Sequence, residues 1–159
     1  VRGYDNVVVM RTMSKSFSLA GMRIGFCVAA PAIAAGLWKV KEHYNLNTLS
    51  LVAAEAALDD VAWMRRNAER VIATRARLAE GLRRLGLHVW DSEANFVLTR
   101  IAAAPGAQSL YGGLRERGLL VRYFPGSPRL ADCLRISVGT DDETDQLLSE
   151  LDVLLRRGR

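Results

Sequence analysis

Two near-continuous apolar runs, residues 7–10 and 23–30, bracket a short polar turn that carries one lysine, Lys15. Apolar runs without alternation are the pattern of strands covered on both faces, as in the parallel sheets of α/β proteins. Pro31 follows the second run and suits the first turn of a helix over residues 32–42. Two strands and one helix do not complete a doubly covered layer. The expectation is therefore the end of a larger α/β domain with a parallel or mixed sheet, whose remainder lies upstream of Val1.

The turn between the runs has its own chemistry. Lys15 lies between Ser14 and Ser16, with Arg23 eight residues later and glycines at Gly21 and Gly25. A lysine amine is a nucleophile toward carbonyl carbon when it is in the neutral form. The hydroxyls of Thr12 and Ser14, with the Arg23 guanidinium, are the group types that hold a phosphate. An aldehyde cofactor bearing a phosphate, pyridoxal phosphate, needs both functions together. Without further context, the same stretch also reads as a surface loop with a solvated lysine.

Residues 14–25 contain Ser-Lys-x-Phe-x-Leu-Ala-Gly-x-Arg-x-Gly. This resembles the Schiff-base lysine motif of fold-type I aminotransferases, and most nearly that of the histidinol-phosphate branch. The resemblance implies pyridoxal 5'-phosphate as cofactor and Lys15 as the catalytic residue. It assigns the cofactor phosphate to Arg23, Ser14 and Thr12. Further along, Leu-Arg-Ile-Ser-Val-Gly-Thr at residues 134–140 resembles the segment whose arginine binds the substrate carboxylate, here Arg135. Arg122 lies thirteen residues earlier, the separation of a second arginine that grips the substrate phosphate in that branch. From the residues alone, each arginine could equally be an outward-facing strand residue. Asn95 matches a family asparagine at the start of a strand facing the site, and a turn residue opening a strand is its plain alternative. Tyr44 and Asn45 fit either a site edge or an interdomain hinge.

The implied reaction is reversible amino transfer between L-histidinol phosphate and 2-oxoglutarate, a step of histidine biosynthesis. The implied assembly is a homodimer acting on small molecules in the cytoplasm. Several family site residues would lie upstream of Val1, so this stretch by itself is expected to lack activity. An aromatic amino acid aminotransferase or a phosphothreonine decarboxylase of the same fold would show much the same residues. A non-catalytic, aminotransferase-like sensor domain is the alternative of a different class.

The rest of the chain reads as helices and then a small α+β unit. The polar break at residues 44–48 precedes an alanine-rich helix over 49–58. Next, Val61, Met64, Ala68, Val71, Leu78, Leu82 and Leu85 fall on alternating three- and four-residue steps, with Arg75 the single interruption. That stripe belongs to one long helix ending at Gly86. Residues 87–90, 95–100, 119–124 and 133–138 read as strands, with a helix over 107–117. Thr140 and Glu143 form a capping-box pattern for a final helix. The division expected is a truncated large domain over 1–48, linker helices over 49–86, and a small α+β domain with an antiparallel sheet over 87–159.

Composition narrows the function classes. Half of the 159 residues are hydrophobic and a quarter charged, the balance of a soluble globular protein. No apolar stretch approaches the ~20 residues of a membrane span, and no secretory leader is visible. The net charge of +5 is spread over one helix and the C-terminal tail with no aromatic platform, so nucleic acid is not an expected partner. Cys27 and Cys133 are read as buried free thiols, and no metal-ligand spacing surrounds them or His43 and His88.

Overall fold

A computed structural model describes residues 3–158. The chain divides into two compact units, Val1–Ala68 and Glu69–Arg159.

In the first unit, β1 (Val8–Thr12) pairs antiparallel with β2 (Gly25–Ala29), in a register running from Val8 opposite Ala29 to Thr12 opposite Gly25. Of the parallel or mixed sheet expected, this pair is antiparallel, as a mixed sheet allows. A parallel pair needs a crossover connection, usually a helix. Residues 13–24 instead fold back on themselves through Ser18 N–H to Lys15 O and Leu19 N–H to Met13 O, at 2.8 and 3.0 Å. The expected double cover is also absent within this unit: Val8, Met10, Phe26 and Val28 are exposed. With them goes Cys27, which is exposed rather than buried.

Helix α1 (Pro31–Val40) begins with proline at its first position. Helix α2 (Thr48–Asp59) is capped by Asn47, whose Oδ1 accepts from Ser50 N–H at 2.8 Å. A small core forms where Met13 and Ile24, from either side of the lysine turn, meet Ala54 of α2. Phe17, Leu19 and Ala57 pack around it.

Helix α3 (Val61–Arg84) carries the long apolar stripe, and Leu78 and Leu82 on it are fully buried. It stops in a Schellman motif: Gly86 N–H reaches Arg83 O and Leu87 N–H reaches Leu82 O, with Gly86 at a φ of +84°. The second unit is a four-stranded antiparallel sheet in the order β3 (His88–Val89), β4 (Phe96–Arg100), β6 (Cys133–Ser137), β5 (Arg122–Tyr123). Helices α4 (Ala107–Glu116) and α5 (Asp141–Arg157) complete it. The inner sheet face sets Val97, Leu134 and Ile136 against Leu82, Leu110, Leu114 and Leu151 in one core. The outer face carries Phe96, Leu98, Arg100, Arg135 and Ser137, half-buried or exposed. This alternation is the mark of an antiparallel sheet with one wet face.

The capping box at the head of α5 is complete, with Thr140 Oγ1 accepting from Glu143 N–H and Glu143 accepting from Thr140 N–H. No described helix is long and apolar enough to cross a membrane.

Candidate active site

The lysine turn is built by the hairpin ladder and its small core. Thr12 pairs with Gly25, and Met13 N–H then bonds Ile24 O at 3.2 Å, so Ser14 and Arg23 are the next residues on the two arms. Met13 and Ile24, both buried, anchor this end of the hairpin from below. Ser14 N–H bonds the Thr12 hydroxyl at 3.1 Å, which ties two of the expected phosphate-binding residues together. Lys15 itself is exposed.

Two non-glycine residues here have left-handed backbone, Ser18 at φ +57° and Arg23 at φ +52°. Such conformations carry strain and persist where the surroundings hold them. Around Arg23 the holding contacts are clear. Met22 N–H bonds Leu19 O at 3.1 Å, and Arg23 Nη1 donates to Ala20 O at 3.0 Å. The buried Ser50 hydroxyl of α2 donates to Met22 O at 2.6 Å. Ser50 therefore pins the peptide that leads into Arg23. Reading the chain alone did not find it, because the contact spans 28 positions and its only local signal is the N-cap of α2.

Charge sorts strongly in this region. Residues 6–41 contain Arg11, Lys15, Arg23, Lys39 and Lys41 and not one aspartate or glutamate. Among the described residues, Lys15 and Arg23 meet no carboxylate. The end of the hairpin thus gathers one amine, two hydroxyls and one guanidinium, all able to donate to an anion, with no carboxylate among the described residues beside Lys15 or Arg23. That donor set fits a phosphate-bearing aldehyde: three groups for the dianion and an amine for the carbonyl.

The second unit holds the other expected site residues. Arg122 of β5 and Arg135 of β6 are register partners, directly opposite on the outer sheet face. Arg122 lies over the Phe124 ring at 5.8 Å and Arg135 over the Phe96 ring at 5.3 Å. Neither meets a carboxylate among the described residues, whereas Arg100 on the same face is paired with Asp132 at 3.0 Å. Asn95 precedes β4 and is exposed, and its carbonyl accepts from Val138 N–H at 2.9 Å. The structure thus brings Thr12 to Ser14, and Arg122 to Arg135.

Cys133 is buried, and its thiol donates to Asp132 at 3.2 Å; burial, together with that carboxylate, pushes its pKa up. Among the described residues no group of three or more His, Cys, Asp and Glu side chains is placed to hold a metal ion.

This hairpin and this sheet belong to a known class. Residues 1–151 match the family model for aminotransferase class I and II, and the chain belongs to that family. Among its relatives the histidinol-phosphate aminotransferases stand out. The chain is 46% identical to histidinol-phosphate aminotransferase 1 of Nostoc sp. over 155 residues, covering 98% of this chain and 43% of that protein. It is 49% identical to the histidinol-phosphate aminotransferase of Synechocystis sp. over 148 residues, covering 91% of this chain and 41% of the relative. Its structure resembles that of histidinol-phosphate aminotransferase from Sinorhizobium meliloti in complex with pyridoxal-5'-phosphate. The TM-score there is 0.84 at 30% identity, over 98% of this chain and 42% of that one. The chain therefore spans less than half the length of the relatives it matches.

Proposed function

We propose that the whole protein to which this chain belongs is a pyridoxal-phosphate-dependent aminotransferase. The reaction is exchange of an amino group between L-histidinol phosphate and 2-oxoglutarate, giving imidazole-acetol phosphate and L-glutamate, in cytoplasmic histidine biosynthesis. The observation that carries this reading is the carboxylate-free end of the β1–β2 hairpin, where Lys15, Thr12, Ser14 and Arg23 meet no anion among the described residues. Its similarity to histidinol-phosphate aminotransferases across nearly the whole chain supports the choice of substrate.

Bound pyridoxal phosphate supplies an electron sink for the carbanion that forms at the substrate α carbon. Thr12, Ser14 and Arg23 hold its phosphate and so fix the aldehyde against the Lys15 amine. Lys15 would hold the cofactor through its aldehyde, and its amine would take and return the proton at the substrate α carbon. Arg135 and Arg122 together receive the phosphate of L-histidinol phosphate, which has no carboxylate, and in the other half-reaction a carboxylate of 2-oxoglutarate, each as a planar fork that matches its anion. The two arginines side by side explain how one surface serves a phosphorylated amino donor and a dicarboxylate acceptor in turn. The assembly is a homodimer.

Borohydride reduction of the whole protein with pyridoxal phosphate, followed by peptide mapping, tests the assignment. A pyridoxyl adduct on Lys15, with turnover of L-histidinol phosphate, is the expected result. A folded, cofactor-exposed protein with no adduct sinks the enzyme reading and favours a sensor.

A further inference from the structure

Arg75 is the one charged residue in the apolar stripe of α3, and its side chain is only 11% exposed. A guanidinium taken out of water at a position suited to leucine costs stability unless every contact it makes is satisfied. Its contacts converge on one dipeptide. Nη1 donates to Ala94 O at 2.9 Å and Nη2 to Glu93 Oε2 at 2.8 Å. Asn95 is the next residue.

Among the described residues, the turn that Arg75 grips is otherwise tied to itself and to the end of the adjacent strand β6. Ala94 N–H bonds the Ser92 hydroxyl at 3.1 Å, which in turn donates to Phe96 O at 2.6 Å. Val138 N–H bonds Asn95 O at 2.9 Å. The main chain around Asn95 is thereby committed on both sides, and no hydrogen bond holds the Asn95 side chain among the described residues. Phe96, one residue further on, lies under the Arg135 guanidinium. One largely covered arginine thus grips the entry to β4 at the point where Asn95 and the Arg135 support both begin.

We propose that Arg75 is a positioning residue for the substrate site: its forked grip on Glu93 and Ala94 sets the placement of Asn95, and through Phe96 that of Arg135. This rests on the reading of Asn95 and Arg135 as substrate-binding residues. A purely structural Arg75 would affect stability alone. A positioning Arg75 affects substrate affinity at unchanged cofactor binding, since misplacement by about 1 Å at a site can cost as much as a hundredfold.

The test uses the whole protein loaded with pyridoxal phosphate and compares Arg75→Leu, Asn95→Ala and the double variant, with L-histidinol phosphate as substrate. Leucine completes the stripe, so the core should survive. The expected result is a rise in KM of about tenfold for Arg75→Leu, with kcat changed less and the bound-cofactor spectrum intact. The double variant should be no worse than the more impaired single variant, because both act through one group. Arg75→Lys, which keeps charge but not the fork, should recover part of the loss. If Asn95→Ala raises KM and Arg75→Leu does not, the positioning role is overturned and the reading of the site stands. If neither Asn95→Ala nor Arg135→Ala moves KM, the site reading fails and this proposal with it. Should Arg75→Leu not fold, Glu93→Ala removes one exposed arm of the grip without touching the core. Its KM should rise by a smaller factor, and an unchanged KM there overturns the proposal.

Discussion

Arg122 and Arg135 stand directly opposite one another in the β5–β6 ladder, two like charges on the same sheet face. Like charges so placed are destabilising in a sheet, and here no carboxylate among the described residues relieves them. Each guanidinium leans instead on an aromatic ring, Phe124 or Phe96. On the proposed reading, the partner of this pair is an anion from outside. Sites that break a local rule are where function concentrates.

That conflict gives opposite signs for stability and activity. Arg122→Ala should raise the stability of the second unit by about 0.2–1 kcal/mol by removing the repulsion. In the whole protein, the same substitution should raise KM for L-histidinol phosphate by roughly ten- to a hundredfold, the loss of charge-assisted bonds worth about 1.5–3 kcal/mol. Arg135→Ala should raise KM for L-histidinol phosphate and for 2-oxoglutarate by a similar factor, and Arg135→Lys by less. Steady-state kinetics with thermal unfolding of the same variants reads both signs.

Gly25 allows the close approach of β2 to β1. A Cβ there would stand 2.6 Å from the Arg11 carbonyl oxygen, a backbone atom with nowhere to go. Gly25→Ala must therefore push the strands apart just where Thr12 and Arg23 leave the ladder. The expected cost is about 1–3 kcal/mol, the usual range for overpacking. Weaker binding of pyridoxal phosphate should accompany it, read by fluorescence titration. Unchanged affinity with lowered stability would separate the hairpin's spacing from its phosphate-binding role.

Much of this is legible in the amino-acid sequence. The α3 stripe, the Gly86 stop, the Thr140 cap and the antiparallel sheet of the second unit all follow from local patterns whose physics is local. Strand direction in the hairpin is different. An apolar run at residues 23–30 reports a preference for burial and carries no information on whether its neighbour runs with it or against it. For the same reason Cys27 reads as buried from its neighbours, yet it is exposed on a two-stranded ribbon. Ser50 and Arg75 act over 28 and 19 positions, and nothing in the chain around them names their acceptors. Arg75 left only the trace of a charge in an apolar stripe.

Core truncation should separate the buried from the merely apolar. Leu151 is fully buried between sheet and helices, and Leu120 is 83% exposed. Leu151→Ala should destabilise the second unit by about 2–5 kcal/mol through lost contacts and a cavity. Leu120→Ala should fall within about 0.5 kcal/mol of the parent. Denaturant midpoints at constant slope measure both.

The head of α5 makes stability depend on acid. Asp141 is held below the usual carboxylate range, first by the hydrogen bond from the Thr74 hydroxyl at 2.9 Å, then by Arg77. Glu143 is held low by the Thr140 backbone N–H and hydroxyl. A carboxylate whose folded pKa is depressed binds its proton less readily in the native state than in the unfolded chain. Its contribution is complete above the unfolded value, about pH 4, and disappears as the pH falls through the folded value. Unfolding followed from pH 7 to pH 2 should therefore show stability falling on the acid side from about pH 5 downward. Thr74→Val removes the largest cause of the Asp141 shift while keeping the side-chain shape. It should flatten that acid slope and leave the slope from Glu143 in place. An acid slope identical to the parent's would show that the Thr74 hydroxyl does not set the ionisation of Asp141.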